Sequence, residues 1–307
     1  MMIDKRLQIF QLIYELKSFS AAAAMLGMSQ PNATQQLKKL ERELGVRLFE
    51  RDTRSIRLTE AGRLVKDELP ALNTAAARLA LKLSGLKDRV RSFALGGTMT
   101  AGNFILPGLM AGFMQRYAGI NLHLAIGNTV TMAEKIQQGA LELALVEGPF
   151  DRNLFLHRKL MDDELLAAGL PGKLGGDFDL TEYLRRRGRI ILREHGSGTR
   201  YYFDRFCREH GLEVPGACII TAQSFEAIKQ LVLSGVGITV ISPVACRAET
   251  AQRRLVCVPF AEGRINREFN FIYSASSDPE LVEKFLPFSR TRLRDLAPAP
   301  AKRPETG

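Results

Sequence analysis

The sequence predicts an α plus α/β protein: a winged helix-turn-helix over residues 1–60, a linker helix over 61–89, and a two-lobed α/β unit over 90–296. Three observations carry this reading. Residues 18–45, SFSAAAAMLGMSQPNATQQLKKLERELG, read as two short helices about a tight turn. Apolar residues then repeat at spacings of four and three from Val65 to Leu86. Beyond about residue 90, short apolar runs alternate with helical periods.

In the second short helix, Ala33, Leu37, Leu40 and Leu44 recur at helical spacing and are expected to pack inward. At about 100° per residue, Gln35, Lys38, Lys39 and Arg42 fall on the opposite side. Gln30, Pro31 and Asn32 begin that helix, and Thr34 lies on its flank. Ser29 is placed to cap it, Pro31 is tolerated where a missing N–H costs little, and Gly27 supplies the break before it. An exposed face of amides and cations can reach base edges and phosphates in a DNA duplex, although a merely solvated face has similar composition. Next, VRLFERDTRSIRLT sets Arg47, Arg51, Arg54 and Arg57 in a hairpin-like segment, as in a wing.

Charge points the same way. Residues 1–66 hold twelve Lys/Arg against seven Asp/Glu, so half of the chain's net +10 sits in about its first fifth. That is the electrostatic footprint expected for phosphate. The hydrophobic share of 46% and charged share of 25% are ordinary globular values, and 307 residues suffice for two or three well-buried cores. No apolar run reaches membrane-spanning length, and MMIDKRLQIF lacks a signal-peptide core, so the expectation is a cytoplasmic protein without a membrane partner. Cys207, Cys218, Cys246 and Cys257 show no CxxC pair and no matching histidine spacing. Free buried thiols are the first reading and a redox sensor the second, with no metal and no cofactor expected.

Val65, Leu69, Leu72, Ala76, Leu79, Leu83 and Leu86 form a heptad seam, with Thr59 a candidate N-cap and Gly62 and Pro70 local weak points. Such a helix either lies on its own domain or pairs with its copy in a second subunit. In the second case, two helix-turn-helix units would meet two DNA half-sites.

Strands are expected at RSFALGG, INLHLAI, LELALVE, RIILRE, ACIITA, GITVIS, LVCVPF and REFNFIYSAS. Helices are expected at NFILPGLMAGFMQRY, TMAEKIQQG, TRYYFDRFCREHG, SFEAIKQLVLSG and from Pro279 to about Leu296. Mainly parallel sheets near 91–161 with 268–296, and over 162–267, would make two lobes with a cleft between them. The tail at 297–307, APAPAKRPETG, has the composition of a disordered segment.

Two segments suit a small anion. GGTMTAGNF follows a strand and opens a helix with Thr98, Met99 and Thr100; REHGSGTRYYF does so with Gly196, Ser197 and Thr199. Helix starts present unpaired N–H donors, although Ser and Thr beside Gly also serve simply as caps. Glu147 and Gln223 fall at strand ends, where α/β clefts form. A carboxylate at Glu147 opposes an anion unless it shares a proton or pairs with Arg200; it is otherwise an interlobe ion-pair partner.

The string LxIFxxIxExxSFSAAAxxLGMSQPxxTQQLKKLExELGVRLFER, followed by LTEAG, resembles the DNA-binding half of the LysR-type bacterial transcriptional regulators over residues 3 to about 65. It departs at Asn32 and Ala33, where Ala and Val are usual, and at Thr34, where Ser is commoner. The resemblance implies that Gln30, Pro31, Thr34, Gln35 and Lys38 face the major groove and that Arg51 and Arg54 belong to the wing. It also implies dimers and tetramers, a promoter operator, and a lobed fold like the type 2 periplasmic binding proteins, crossed twice by the chain. LREHGSGTR, GNT, LELALVEGP and EAIKQLVLSGVGI resemble the branch that regulates sulfur assimilation and carbon fixation. Effectors there are sulfur oxyanions or phosphorylated metabolites, and His195 stands where Pro is usual. Effector-driven lobe closure would then alter DNA bending or contact with RNA polymerase. An enzyme is disfavoured: no P-loop, GxSxG, HExxH or complete GxGxxG is present. An effector-free architectural DNA binder would not need some 200 residues of α/β structure.

Overall fold

A computed structural model describes residues 4–50, 56–88 and 90–296, in two compact units: one runs to Arg91 and includes Gln138–Ala140, the other comprises Ser92–Gln137 and the chain from Leu141. The first contains α1 (Lys5–Leu16), α2 (Phe19–Met25), α3 (Gln30–Leu44) and α4 (Glu60–Asp88). Short side chains start the first three helices. Asp4 accepts the Arg6 N–H at 2.9 Å, Ser18 that of Ala21 at 3.2 Å, and Ser29 that of Asn32 at 3.4 Å. Gly27 and Gly45, at φ +64° and +69°, make the left-handed turns that close α2 and α3.

Ile9, Phe10 and Ile13 of α1, Ala22 and Ala23 of α2, and Ala33, Leu37 and Leu40 of α3 share one core. The small α2 residues let the helices cross closely. Removing the fully buried Phe10 ring would cost ~3–5 kcal/mol. Leu44 departs from the inward placement expected for it: it is 47% exposed. Glu41, one turn earlier, instead turns its carboxylate toward the chain after α3 and accepts the Leu48 N–H at 2.8 Å. Leu44 is the last helical residue, past the end of the packed stripe.

Phe49 and Leu58 pair in an antiparallel bridge, with Glu50 N–H donating to the Arg57 carbonyl at 2.9 Å. This bridge lies where the wing is expected; Arg51 and Arg54 lie outside the described residues. Thr59 caps α4 by accepting the Gly62 N–H at 3.0 Å. A Cβ on Gly62 would stand 2.1 Å from the Leu48 carbonyl oxygen, so close packing requires this glycine. Pro70 lies inside α4. The heptad seam divides: Val65 and buried Leu69 complete the helix-turn-helix core, whereas Leu72, Leu79 and Leu83 are exposed.

The second unit opens with β1 (Arg91–Thr98), α5 (Met99–Phe104), α6 (Leu106–Arg116), β2 (Ile120–Gly127), α7 (Thr129–Gln137) and β3 (Leu143–Val146). It continues with β4 (Leu156–Gly169), α8 (Leu180–Arg185), β5 (Ile190–Leu192), α9 (Gly198–Glu209), β6 (Ile219–Thr221) and α10 (Phe225–Leu233). β7 (Ile238–Ile241), a 3-10 turn (Pro243–Cys246), α11 (Arg247–Ala251), β8 (Val256–Val258), β9 (Ile265–Tyr273) and α12 (Pro279–Leu296) complete it. Strand order is β2-β1-β3-β9-β4-β7-β5-β6, with β8 also on β4.

β4 is the strand the sequence conceals, because LHRKLMDDELLAAG mixes charge and apolar residues without clean alternation. It runs antiparallel to β9 from Leu156↔Tyr273 to Leu165↔Ile265, then pairs Leu166–Ala168 with β7. The two sheets are therefore mixed rather than mainly parallel, and they are continuous through β4 and β9. Lobe 1 packs Phe93, Leu95, Phe113, Phe269, Phe271 and Phe285 beneath α6 and α12. Lobe 2 buries Ile190, Leu192, Phe203, Phe206 and Phe260 on one sheet face, and Ile191, Phe225, Ile228 and Ile241 on the other. Among the described residues, no helix is long and apolar enough to cross a membrane.

Candidate functional site

The α3 surface keeps its chemistry available. Ser29, Gln30, Pro31, Asn32, Gln35, Lys38, Lys39 and Arg42 are exposed, and Thr34 is half-buried. The helix is thus held by Ala33, Leu37 and Leu40 while its first turn and opposite face remain open. Arg6 anchors the far end through ion pairs to Asp4 and Glu43.

In the second unit, the ends of β1, β2, β3, β5 and β6 converge on a cavity of about 330 Å3 between the lobes. Thr98, Met99, Gly127, Asn128 and Glu147 come from lobe 1; Arg193, Glu194, His195, Ser197, Gly198, Thr199 and Gln223 come from lobe 2. Strand ends open such clefts because the chain must turn there into a helix, leaving N–H groups unpaired. The volume is at the small end of ligand clefts, ~300–1,000 Å3.

Of the residues expected at the site, Thr98, Met99, Glu147, Ser197, Thr199 and Gln223 line this cavity. Thr100 and Gly196 are not in its lining. Thr100 is 1% exposed, and its Oγ1 has no partner among the described residues. Gly196, at φ +92°, makes the turn before α9. The Thr98 hydroxyl makes no cap; it donates to the Glu147 carboxylate. Ser197 does cap, accepting the Arg200 N–H at 3.0 Å.

Sequence reasoning missed a buried cation that lies outside the cavity lining but touches its residues Glu147 and Thr199. Arg267 on β9 is buried and donates from Nε to Asp163 Oδ2 at 2.7 Å and from Nη1 to Thr199 Oγ1 at 3.2 Å. Its Nη1 also lies 3.7 Å from Glu147 Oε1. Ser242 donates to the other oxygen of Asp163 at 2.7 Å. One guanidinium thus joins Glu147 of lobe 1 to Thr199 and Ser242 of lobe 2 through the crossing strands. Arg200, the partner suggested for Glu147, is instead engaged by Asp204 at 2.7 Å. Arg193 was likewise missed: it grips Glu194 at 2.8 and 2.7 Å and lies 4.8 Å from the Phe225 ring centroid. Among the described residues, no group of three or more His, Cys, Asp and Glu is placed to hold a metal ion.

A helix-turn-helix with an open amide and cation face, and an α/β unit with a polar interlobe cleft, together define a DNA-binding regulator with an effector domain. Residues 5–63 match the bacterial regulatory helix-turn-helix protein, lysR family, and residues 87–294 match the LysR substrate binding domain. The chain belongs to the LysR family of transcriptional regulators. It is similar to the RuBisCO operon transcriptional regulator of Allochromatium vinosum, 31% identical over 271 residues, covering 88% of this chain and 89% of the relative. The HTH-type transcriptional regulator CysL of Bacillus subtilis (strain 168) is 27% identical, covering 87% and 90%. Full-length CbnR complexed with its target DNA shares the fold, with TM-score 0.70 at 19% identity, covering 94% of this chain and 98% of that one.

Proposed function

We propose that the chain is a cytoplasmic regulator that binds a promoter operator as a homo-oligomer and responds to a small anion between the lobes. The helix α3 would enter the major groove, with Gln30, Pro31, Thr34 and Gln35 toward base edges and Lys38 and Lys39 toward phosphate. The exposed leucines of α4 would pair with those of a second copy. Tetramers built from such dimers, and contact with RNA polymerase, belong to the same reading.

The observation that carries the anion reading is the convergence of donors without a surplus of free carboxylate. The starts of α7 and α9 meet the cavity at Asn128 and Gly198, and the Thr98, Ser197 and Thr199 hydroxyls and the Gln223 amide line it. Glu147 is already engaged by Thr98 and Arg267, which offsets the charge that would repel an anion. The effector is a sulfur oxyanion or a phosphorylated metabolite, and its binding favours the lobe arrangement that grips it from both sides.

A thermal-shift screen of the full-length chain with sulfite, sulfate, phosphate and phosphorylated sugars tests this. A ligand that binds only the native state raises the midpoint in proportion to RT ln(1 + [L]/Kd). A shift that persists in Thr98→Val together with Ser197→Ala would remove the cleft from the account, and no shift with any anion would remove the effector class.

A further inference from the structure

The four cysteines are not equivalent. Cys207 and Cys218 sit apart in the lobe 2 core, whereas Cys246 Sγ lies 3.0 Å from Cys257 Sγ. Cys246 ends the 3-10 turn after β7, and Cys257 is the middle residue of β8. Eleven residues separate them in sequence, so their meeting is a product of the fold. Cys246 is fully buried among Ala168, Phe225, Ile228 and Leu255, while Cys257 is half-buried. A thiol that only fills space does not need a second sulfur at hydrogen-bonding distance.

We propose that Cys246 and Cys257 form a redox-active dithiol, which a hydroperoxide oxidises to an intramolecular disulfide. Cys257 is the attacking sulfur, being the more accessible of the two. The hydrogen bond between the two sulfurs holds the Cys257 thiol below the usual thiol range, while the same bond and burial hold Cys246 above it. The Cys257 thiolate attacks one peroxide oxygen; an S–O bond forms, the O–O bond breaks, and hydroxide leaves with a sulfenic acid behind. That hydroxide takes the Cys246 proton and becomes water. The Cys246 thiolate then attacks the sulfenic sulfur, forming the S–S bond and expelling the second oxygen as hydroxide, which is protonated to water by the proton Cys257 first released. Each sulfur gives one electron, and the two peroxide oxygens receive them.

The bond would tie the 3-10 turn to β8 at a sensitive place. Ser242, four residues before Cys246, holds Asp163 and through it Arg267. Val244 of the same turn packs against the lobe 1 core while Ala245 and Cys246 pack in lobe 2. The chemistry itself does not depend on which molecule fills the cleft.

The test treats reduced full-length protein with a small excess of hydrogen peroxide, then denatures it, counts thiols, weighs the intact chain and maps its peptides. Two of the four thiols should disappear with a mass loss of two hydrogens, in a bond between the Cys246 and Cys257 peptides that dithiothreitol reverses. Cys257→Ser should prevent that loss, and a Cys207→Ser/Cys218→Ser double variant should retain it. Four surviving thiols, a disulfide involving Cys207 or Cys218, or a sulfinic acid at Cys257 beside an intact Cys246 thiol would each overturn the proposal. The wild-type count needs no variant, so a misfolded mutant cannot decide the matter.

Discussion

Gly148 and Gly198 face each other across the two lobes: a methyl on Gly198 would lie 3.3 Å from both the Cα and the N of Gly148. A Cβ on Gly148 would stand 2.2 Å from the Thr129 hydroxyl oxygen. Backbone therefore meets backbone beside the cavity, with no side chain to give way at Gly198. Gly198→Ala is expected to prop the lobes apart by a few tenths of an ångström. Affinity for an anion found by the screen should fall about tenfold, ~1.4 kcal/mol, by titration calorimetry, with apo operator binding retained.

Arg267 neutralises a pair of carboxylates that are otherwise out of water. Replacing it with Met leaves Asp163 and Glu147 buried without their cation. Breaking such a pair from one side costs ~3–5 kcal/mol. Urea denaturation of the full chain should show that loss in the transition of the effector unit, whereas exposed Arg185→Ala should change stability by less than about 1 kcal/mol.

The proposed subunit contact runs through the exposed leucines of α4. Leu79→Glu with Leu83→Glu should shift sedimentation velocity toward monomer while circular dichroism is preserved. Burying a leucine is worth ~1.5–3 kcal/mol, and each of the two appears twice in a symmetric pair, so association should weaken by on the order of ten-thousandfold or more. Unchanged sedimentation would assign those leucines to another contact.

Burial pushes the Cys207 thiol up to about 12. The folded state therefore holds its proton more tightly than the unfolded chain, whose thiol titrates near 9. Stability is full below that value and falls as pH rises from it toward 12. Iodoacetamide at neutral pH should leave Cys207 unmodified in the native protein and modify it in urea, as peptide mapping would read.

Much of the architecture was legible because local signals agreed with the fold. Ser29, Pro31 and Gly45 delimit α3 without help from distant residues. That Thr98, Glu147, Ser197 and Gln223 would line a cavity was legible because strand ends and helix starts mark clefts. What stayed hidden depends on pairing. Arg267 and Asp163 meet only because β9 crosses β4 in register, and a lone Arg or Asp in a mixed strand carries no such information. Leu44 misled for a related reason: periodicity describes a helix of any length, not where its packed stripe stops.

DNA recognition by α3 is the claim on which the rest depends. Full-length protein should enrich, from a random duplex pool, a motif with two half-sites one or more helical turns apart. Fluorescence anisotropy on that motif should then show Lys38→Ala weakening every duplex alike and lowering the salt slope by about one, while Gln35→Ala loses ~1–3 kcal/mol on the selected sequence alone. Undiminished affinity in both variants would contradict the account.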